Sequence, residues 1–477
     1  MKRYGALFCV LILLGQVPLI QAHATNPSPG VSCSKAGKSQ IYAGKKYTCI
    51  KKGKKLIWNK GSKVPANQSA KTPASDSAKS EPSNIAPTPA PTPSSTPTPA
   101  PTQKPEIKTS SLSEYKSPSE CKLQKAGTTH DVDLSHTPRN WILLNPDKQV
   151  RILIFPVDFP DLVSPTKNSP DFSELITSIE NFYRSQSGGK LQFKWTVASE
   201  FSRMSKSIES YGVGTRATGS VWQLNYDIQD LAFQKYSKDD FDFIIGSAPT
   251  TTTREQIAAS PAFGTRDVKY RGATYLGGDY WSGGRPWTIP AHEFGHFALG
   301  ISDLYDFKSS MLGESGFEAQ FQYMGIFDIM NWAGGVGLEL TAWSRWIAKL
   351  ISDSQILCQP LTRTLTMLEP IEAVNSSVKG IVIPITSNNV LVVENRAAQG
   401  FDSRLPEGAR GVIVYSVDTS IESGQGPMRM VRKTGSSDNL FRDNALKKGE
   451  SITHLGYTIK VVEQFDGNAY IEIQRAS

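Results

Sequence analysis

Between residues 145 and 300 the hydrophobic pattern changes its period along the chain. The run "QVRILIFPVDF" is almost continuously apolar, which predicts a buried strand, and "LQFKWTV" is apolar at every second position, as in a half-buried strand. In the segment between them the apolar side chains recur at helical spacing, namely Leu175, Ile179, Phe182 and Tyr183. This spacing predicts a helix that begins near Asp171 and ends at Gly188 and Gly189.

Three further segments continue the alternation of strands and helices. "VWQLNYDIQDLAFQKY" predicts a second helix, "FDFIIGSA" a strand, and "ATYLGG" a short edge strand. A third helix follows in "WTIPAHEFGHFALG". We expect an α+β domain built on a mixed sheet, with its chemistry on this last helix.

The pattern changes again after residue 355. Short apolar runs with alternating polar positions are separated by turn residues, as in "GIVIPI", "NVLVVENR", "GVIVYSVD", "YTIKVV" and "AYIEIQ". Closely spaced short strands of this kind predict a C-terminal β-sandwich-like domain.

Composition then sets the boundaries of five parts. We expect a signal peptide at 1–24, a small Lys-rich disulfide module at 25–63, a Pro/Thr/Ser-rich linker at 64–106, the α+β domain at 107–355 and the β-rich domain at 356–477. The linker has almost no apolar side chains to bury, so it should form an extended polyproline-like spacer.

The N-terminus has the features of a secretory signal. Lys2 and Arg3 precede an apolar run that ends in the small-residue site before Ala24. A membrane anchor is the alternative, but the run is short and is interrupted by Gln16 and Pro18. We expect cleavage after Ala24, a secreted or cell-surface protein, and no transmembrane segment after cleavage.

Four cysteines remain after cleavage, and they allow three pairings. Proximity in sequence favours Cys33 with Cys49, which leaves Cys121 with Cys358. Both bridges suit an oxidising compartment. An alternative role for Cys121 is a thiolate that blocks a metal site until the N-terminus is removed.

Charge adds one candidate partner. The formal net charge of +8 is modest for 477 residues, and we expect no nucleic-acid partner. The module at 25–63 nevertheless concentrates cations around three apolar side chains and should form a hairpin: Lys45, Lys46, Lys51, Lys52, Lys54 and Lys55 surround Tyr47, Ile57 and Trp58. It is either a soluble disulfide-stapled knob or a surface that adheres to an anionic polymer of the cell envelope.

The third helix carries the chemistry. His292 and His296 are four residues apart, so their side chains lie on the same side of a helix and can hold one ion together. Zinc takes such nitrogen ligands at about 2.0–2.2 Å. Glu293 is rotated from them by about 100°, so it suits a proton acceptor for a metal-bound water better than a ligand. The alternative is a helix whose histidines are only packed or solvated. The mature chain has five histidines, and H-E-x-x-H spacing for two of them favours a metallohydrolase site.

Several segments of the sequence resemble a known family. "AHEFGHFALGISDLYD" is similar to the signature of the immune inhibitor A family of secreted bacterial metallopeptidases, and "ILIFPVDFPD", "FYRSQSGGKLQF", "YMGIFDIMNWAGG", "LTAWSRWIAKLI" and "VVENRAAQGFDSRLPEGARGVIVYSVD" resemble other segments of it. The similarity covers roughly residues 145–475. It implies a zincin-like catalytic domain at 107–355, a zinc cofactor, and protein or peptide substrates.

The third ligand departs from the family pattern. The family shows H-E-x-x-H-x-x-G-x-x-D, whereas Gly300 and Asp303 each lie one residue further along this chain. An inserted residue in a regular helix would rotate the following residues by about 100°, unless a bulge or an altered cap absorbs it. Asp303 is the first candidate because "SDLYD" aligns with the family's acidic turn, and Asp306 and Glu314 are its rivals.

Several other residues have a candidate functional role, and some of these also have a purely structural alternative. The resemblance to metzincins implies that Met330 lies beneath the metal, although it could be an ordinary buried methionine. Tyr305 or Tyr323 could hydrogen-bond a developing oxyanion. Asp158 and Asp161 could hold a structural calcium, or form a turn with polar caps.

Together these features predict a secreted zinc endopeptidase with Glu293 as its general base. We expect an extended substrate to lie along the edge strand near residues 273–277. One alternative is a catalytically impaired surface or cell-wall binding protein on the same scaffold. Another is a peptidoglycan-directed zinc amidase.

Overall fold

In a computed structural model the described residues form two compact units, one within 39–63 and one within 106–476. The described ranges are 39–42, 45–53, 55–60, 62–63, 106–127, 132–137, 149–214, 221–253, 255–257, 273–277, 287–310 and 316–476. The expected signal peptide and the candidate ligand Glu314 lie outside these ranges. In the ranges described, no helix is long and apolar enough to cross a membrane.

The first unit is a small antiparallel sheet. Its strands are β1 (Ser39–Tyr42), β2 (Lys45–Lys52), β3 (Lys55–Trp58) and β4 (Ser62–Lys63), and β2 pairs with the other three. Tyr47, Cys49 and Trp58 are buried together. The hairpin predicted here is therefore present. Cys49 is disulfide-bonded, and its expected partner Cys33 lies outside the described residues.

The second unit begins with a sheet in the order β6-β5-β8-β9, with β7 also paired to β5. The strands are β5 (Val150–Asp158), β6 (Phe193–Val197), β7 (Ser202–Arg203), β8 (Phe243–Ser247) and β9 (Ala273–Leu276). Every pairing among them is parallel, so the expectation of a mixed sheet is wrong for these strands. In this order of described strands β9 is at the edge, as expected.

The second unit contains six described α-helices, of which the first three pack against this sheet. They are α1 (Ser173–Ser187), α2 (Val221–Ala232), α3 (Thr288–Leu299), α4 (Phe307–Ser310), α5 (Phe317–Gln320) and α6 (Ala342–Ile347). Successive side chains of a strand point to opposite faces. Accordingly, Ile152 of β5 packs into one core with α1 and α3, whereas Leu153 packs into a second core with α2. Short 3₁₀ helices span Leu112–Glu114, Pro118–Cys121, Glu209–Tyr211, Lys238–Asp240, Asp353–Gln355, Gly400–Asp402 and Glu407–Ala409.

The C-terminal part contains two sheets that share a buried core. One has the order β10-β12-β13-β14-β15 and the other β11-β18-β17-β16. The strands are β10 (Ile356–Cys358), β11 (Thr364–Leu368), β12 (Gly380–Pro384), β13 (Asn389–Arg396), β14 (Gly411–Asp418), β15 (Met428–Met430), β16 (Ser451–His454), β17 (Tyr457–Phe465) and β18 (Asn468–Arg475). Two facing sheets of this kind agree with the predicted sandwich-like arrangement.

The first of these sheets is buried on both sides. Leu391 and Val393 of β13 face the second sheet, whereas Val390 and Val392 pack into the core that also contains α3 and α6. The N-terminus of α6 is fixed to β13, because the Ala342 N–H donates to a Glu394 carboxylate oxygen at 2.7 Å. The domain boundary expected between residues 355 and 356 stays a prediction. Residues before and after this position share one apolar core.

A disulfide joins Cys121 to Cys358, as the sequence predicted. It ties the segment before the first large sheet to β10, and the Lys116 N–H donates to the Cys358 carbonyl beside it at 2.9 Å. The alternative role of Cys121 as a metal-blocking thiolate is excluded, since its sulfur is already bonded.

Taken together, the described elements form an α+β protein with several sheets and few helices.

Candidate metal centre

Helix α3 lies in the core because nearly all of its faces are apolar or small. Ala291, Phe294 and Ala298 are almost completely buried against the sheet. The Tyr183 hydroxyl of α1 donates to the Ala291 carbonyl at 2.6 Å and holds the two helices together. The helix ends at Gly300, whose φ of 73° is left-handed and suits glycine.

The two histidines of α3 point to one position. Their side chains are only 10% exposed, and their Nε2 atoms lie 3.0 Å apart. The Asp303 Oδ1 lies 3.2 Å from the Nε2 of His292 and 3.0 Å from that of His296. The sequence therefore predicted a set of side chains that the fold brings together.

Backbone partners fix the tautomer of both rings. The His292 Nδ1 lies 2.8 Å from the Ile329 carbonyl, and the His296 Nδ1 lies 2.7 Å from the Ile301 carbonyl. A carbonyl only accepts hydrogen bonds, so each Nδ1 must carry its proton. In the neutral rings both Nε2 atoms then present lone pairs to each other and to a carboxylate. Their close approach is compatible with a proton on one of the rings or with a cation held among the three atoms.

The turn that ends α3 brings Asp303 back toward the two histidines. The Ile301 N–H donates to the Gly295 carbonyl at 3.1 Å, which spans one residue more than the closing bond of a Schellman motif. The wider turn returns the chain toward the helix, and the Ile301 carbonyl reaches the His296 ring. Asp303 thus faces the histidines despite its shifted position in sequence.

Charges within the site shift the pKa values of its members in opposite directions. Burial alone would raise the pKa of Asp303, but when the rings are protonated the charge of His296 and hydrogen bonds from both imidazoles lower it far below its usual value. Burial alone would lower the pKa values of His292 and His296, yet Asp303 raises both. The carboxylate is therefore ionised, and it stabilises positive charge on the imidazole side.

Glu293 is in a different environment. Burial raises its pKa to about 8, although the charge of His292 acts to lower it. A divalent cation beside it would lower this pKa and favour the carboxylate.

Residues 328–330, which orient His292 through the Ile329 carbonyl, are themselves held by hydrogen bonds. Asp328, with a left-handed φ of 70°, accepts hydrogen bonds from the Met330 and Thr341 N–H groups at 2.9 and 2.8 Å. The Met330 carbonyl accepts from the Leu304 N–H at 3.1 Å, which links this segment to the Asp303 turn. Met330 is fully buried against Gly295 of α3, where a Cβ would lie 2.6 Å from its sulfur. Whether Met330 lies beneath a metal stays a prediction.

The other candidate residues have different positions. Asp306 accepts from the Lys308 N–H, the Ser309 hydroxyl and the Gln322 amide, so it caps α4 and is not a ligand. Tyr305 lies near the site: the charge of Asp303, burial and a hydrogen bond to that carboxylate raise the pKa of Tyr305 well above its usual value.

Tyr323 belongs to another contact. Its ring lies 4.7 Å from the Arg429 guanidinium, and the structure does not bring it together with the histidines. An oxyanion role for it has no support in this arrangement.

The carboxylates of Asp158 and Asp161 do not converge on a calcium position. Asp158 accepts two hydrogen bonds from Arg203, at 2.7 and 2.9 Å. Asp161 accepts from the backbone N–H groups of Ile208 and Glu209, ahead of a 3₁₀ helix. The arrangement is the alternative that the sequence left open, a turn with polar caps.

Sequence reasoning missed the groups that orient the ligands. The carbonyls of Ile301 and Ile329 leave no signal, because every residue has a carbonyl. Ser423, whose Oγ accepts from the Asp303 N–H at 2.9 Å, is 120 residues away in sequence. Only the fold brings these groups to the site.

The donor set fits a small divalent cation. Two imidazole nitrogens and a carboxylate oxygen are the ligands that zinc takes, and ligands at about 2.0–2.2 Å from a tetrahedral ion are ~3.3 Å apart. The observed separations are 3.0–3.2 Å. Among the residues described, this His-His-Asp group is the one that could hold a metal. No protein-family model matches the chain, and no curated protein matches it.

Proposed function

We propose that this chain is an exported zinc endopeptidase. The single observation that carries the proposal is the convergence of the Nε2 atoms of His292 and His296 with the Asp303 carboxylate, while both Nδ1 atoms are held by carbonyls. The resemblance to the immune inhibitor A family, and to zincins in general, supports peptide hydrolysis. The N-terminal signal features and the Cys121–Cys358 bridge support export.

Zinc bound by these three residues would supply Lewis acidity and lower the pKa of a coordinated water. Glu293 follows His292 directly and senses the charges of His292 and Asp303. Its carboxylate would accept a proton from the attacking water and return it to the leaving nitrogen. Burial of the two imidazoles would exclude bulk water from their ring nitrogens. The tautomer fixed by the Ile301 and Ile329 carbonyls would keep both Nε2 lone pairs directed at the site.

The substrate would bind in an extended conformation. Strand β9 is the outermost strand in the described order of its sheet, and it contacts α3. A peptide could add its backbone to such an edge, with its side chains alternating between the two faces. This arrangement would place a scissile bond near Glu293.

The Glu293→Gln variant tests the general-base role. It keeps the shape of the side chain but removes the proton acceptor, so we expect full zinc content and a loss of cleavage of about 10²–10⁴-fold. Metal analysis and cleavage of an unfolded protein substrate measure the two effects. Glu174→Gln, on the exposed first turn of α1, is the matched control and should cleave like the wild type.

The same measurements separate the alternatives. Undiminished cleavage by Glu293→Gln would remove Glu293 from the mechanism. Wild-type protein with less than about a tenth of an equivalent of zinc, and with no chelator-sensitive cleavage, would indicate a binding protein instead. Cell-wall turnover without proteolysis would indicate an amidase.

A further inference from the structure

We propose that Ser423 is a positioning residue for the third metal ligand, Asp303. Ser423 lies in the loop at residues 419–427, which connects β14 to β15 in the C-terminal part of the chain. The inference rests on the proposed metal site and adds to it a residue from outside the helix and turn that supply the ligands. It assigns a loop between two C-terminal strands a role in the proposed metal site.

The loop holds both backbone polar groups of Asp303. The Asp303 N–H donates to the Ser423 Oγ at 2.9 Å, and the Asp303 carbonyl accepts from the Gly424 N–H at 3.0 Å. Next to these bonds, the Phe307 N–H donates to the Gly424 carbonyl at 2.8 Å. Three consecutive contacts of this kind fix the turn that carries the ligand against the loop.

The loop can approach this closely because of its glycines. Gly424 has a left-handed φ of 73°, and a Cβ there would lie 3.0 Å from the Phe307 Cβ. Gly426 has the same φ, and a Cβ there would lie 2.5 Å from ring atoms of Tyr323. The loop is therefore held on two sides by the part of the chain that follows α3.

Asp303 depends on this support because it lies beyond the end of α3. No helical hydrogen bond restrains its backbone, yet its Oδ1 must stay within 3.0–3.2 Å of two ring nitrogens. Groups that hydrogen-bond a ligating side chain typically contribute 10–100-fold to metal affinity, and the Ser423 bond restrains the same ligand through its backbone. Among the described residues, the Ser423 hydroxyl is the side-chain group that bonds the Asp303 backbone.

The test is zinc affinity of the purified full chain, measured by competition with a chelating indicator. We expect Ser423→Ala to weaken zinc binding by roughly 10–100-fold, and Ser423→Thr, which keeps the hydroxyl, to retain most of it. Ser420→Ala is the control in the same loop, since the Ser420 hydroxyl bonds Asp418 and not the Asp303 turn. It should bind zinc like the wild type.

Cobalt supplies a readout that does not depend on activity. In the cobalt-loaded protein the visible absorption reports ligand geometry, and we expect Ser423→Ala to change these bands while the metal-free variant unfolds at the wild-type temperature. Equal zinc affinity in Ser423→Ala and wild type would overturn the inference. An equal loss in Ser423→Ala and Ser423→Thr would overturn it too, because the loss would not follow the hydroxyl. A wild-type chain that binds no zinc would instead overturn the proposed function.

Discussion

The protonation of two imidazoles determines which kind of ligand the site can hold. Each Nδ1 donates its proton to a backbone carbonyl, so in the neutral rings of His292 and His296 the facing Nε2 atoms are without protons. Lone pairs 3.0 Å apart repel each other, and the Asp303 carboxylate adds a negative charge to them. A proton can relieve this repulsion in the free protein, and a divalent cation relieves it more completely.

Asp303→Ala and Asp306→Ala form a matched pair that tests the third ligand. We expect Asp303→Ala to lower zinc affinity by at least about tenfold, because only two protein ligands remain. Asp306→Ala should keep full zinc affinity and lose about 1 kcal/mol of folding stability, since it removes a helix cap. Metal analysis after dialysis and thermal unfolding measure the two effects.

Full occupancy in Asp303→Ala would exclude this residue as a ligand. Glu314, the remaining candidate ligand from the sequence, would then be the next residue to replace.

At this scale the sequence predicted which side chains converge better than it predicted the groups that hold them in place. H-E-x-x-H spacing identified His292, His296 and Glu293, since i and i+4 share a helix face whatever surrounds them. Asp303 could be chosen only through the family resemblance, because the extra residue breaks the regular spacing. Ser423 could not be predicted, as no local pattern connects it to a residue 120 positions away.

At the scale of elements, α3 depends on a glycine where it meets the segment carrying Met330. A Cβ on Gly295 would lie 2.6 Å from the Met330 sulfur and 3.1 Å from its terminal carbon. Met330 is flexible but completely buried, so it has little room to move away. The close approach keeps the Ile329 carbonyl near His292.

We therefore predict that Gly295→Ala destabilises the fold. Overpacking costs about 1–3 kcal/mol, and the better helix propensity of alanine offsets up to ~1 kcal/mol of it. Denaturant unfolding of Gly295→Ala, Met330→Ala and the double variant forms a mutant cycle, in which we expect the alanine at 295 to cost less once Met330 is shortened. Independent effects of the two substitutions would contradict the predicted contact.

The elements themselves followed from periodicity, but their directions did not. The stripe of Leu175, Ile179, Phe182 and Tyr183 predicted α1, and all four residues are buried. The expected mixed sheet is wrong for the described strands, which are all parallel, and side-chain alternation could not decide this because it does not depend on strand direction. The hydrophobic pattern also could not predict that α6 and β13 share a core. A continuous apolar run shows that a strand is buried on both faces, but not which element covers each face.

At the scale of the whole molecule, the Cys121–Cys358 bridge closes a loop with a sequence separation of 237. Cross-links stabilise mainly by restricting the unfolded chain, so we expect the double variant Cys121→Ser/Cys358→Ser to lose about 2–5 kcal/mol. Denaturant unfolding of the two proteins measures the difference. Wild type unfolded under reducing conditions should approach the variant, and an unchanged midpoint in both cases would contradict the expected contribution.

Further contacts hold the segment that precedes the first large sheet. The Ser110 N–H donates to the Leu365 carbonyl at 2.8 Å, and the Trp343 indole N–H donates to the Leu134 carbonyl at 2.9 Å. Residues 106–137, where described, are therefore built into the folded unit at several points. Processing that removes this segment would have to break its hydrogen bonds and reduce the bridge.

The same bridge would conceal self-digestion. If one copy of this protein cut another between the two half-cystines, each peptide cleavage would add a molecule of water, yet both fragments would travel together on a gel run without thiols. A preparation could look homogeneous while carrying internal nicks. Only electrophoresis after reduction would reveal the fragments, so loss of activity during storage is best followed on reduced samples.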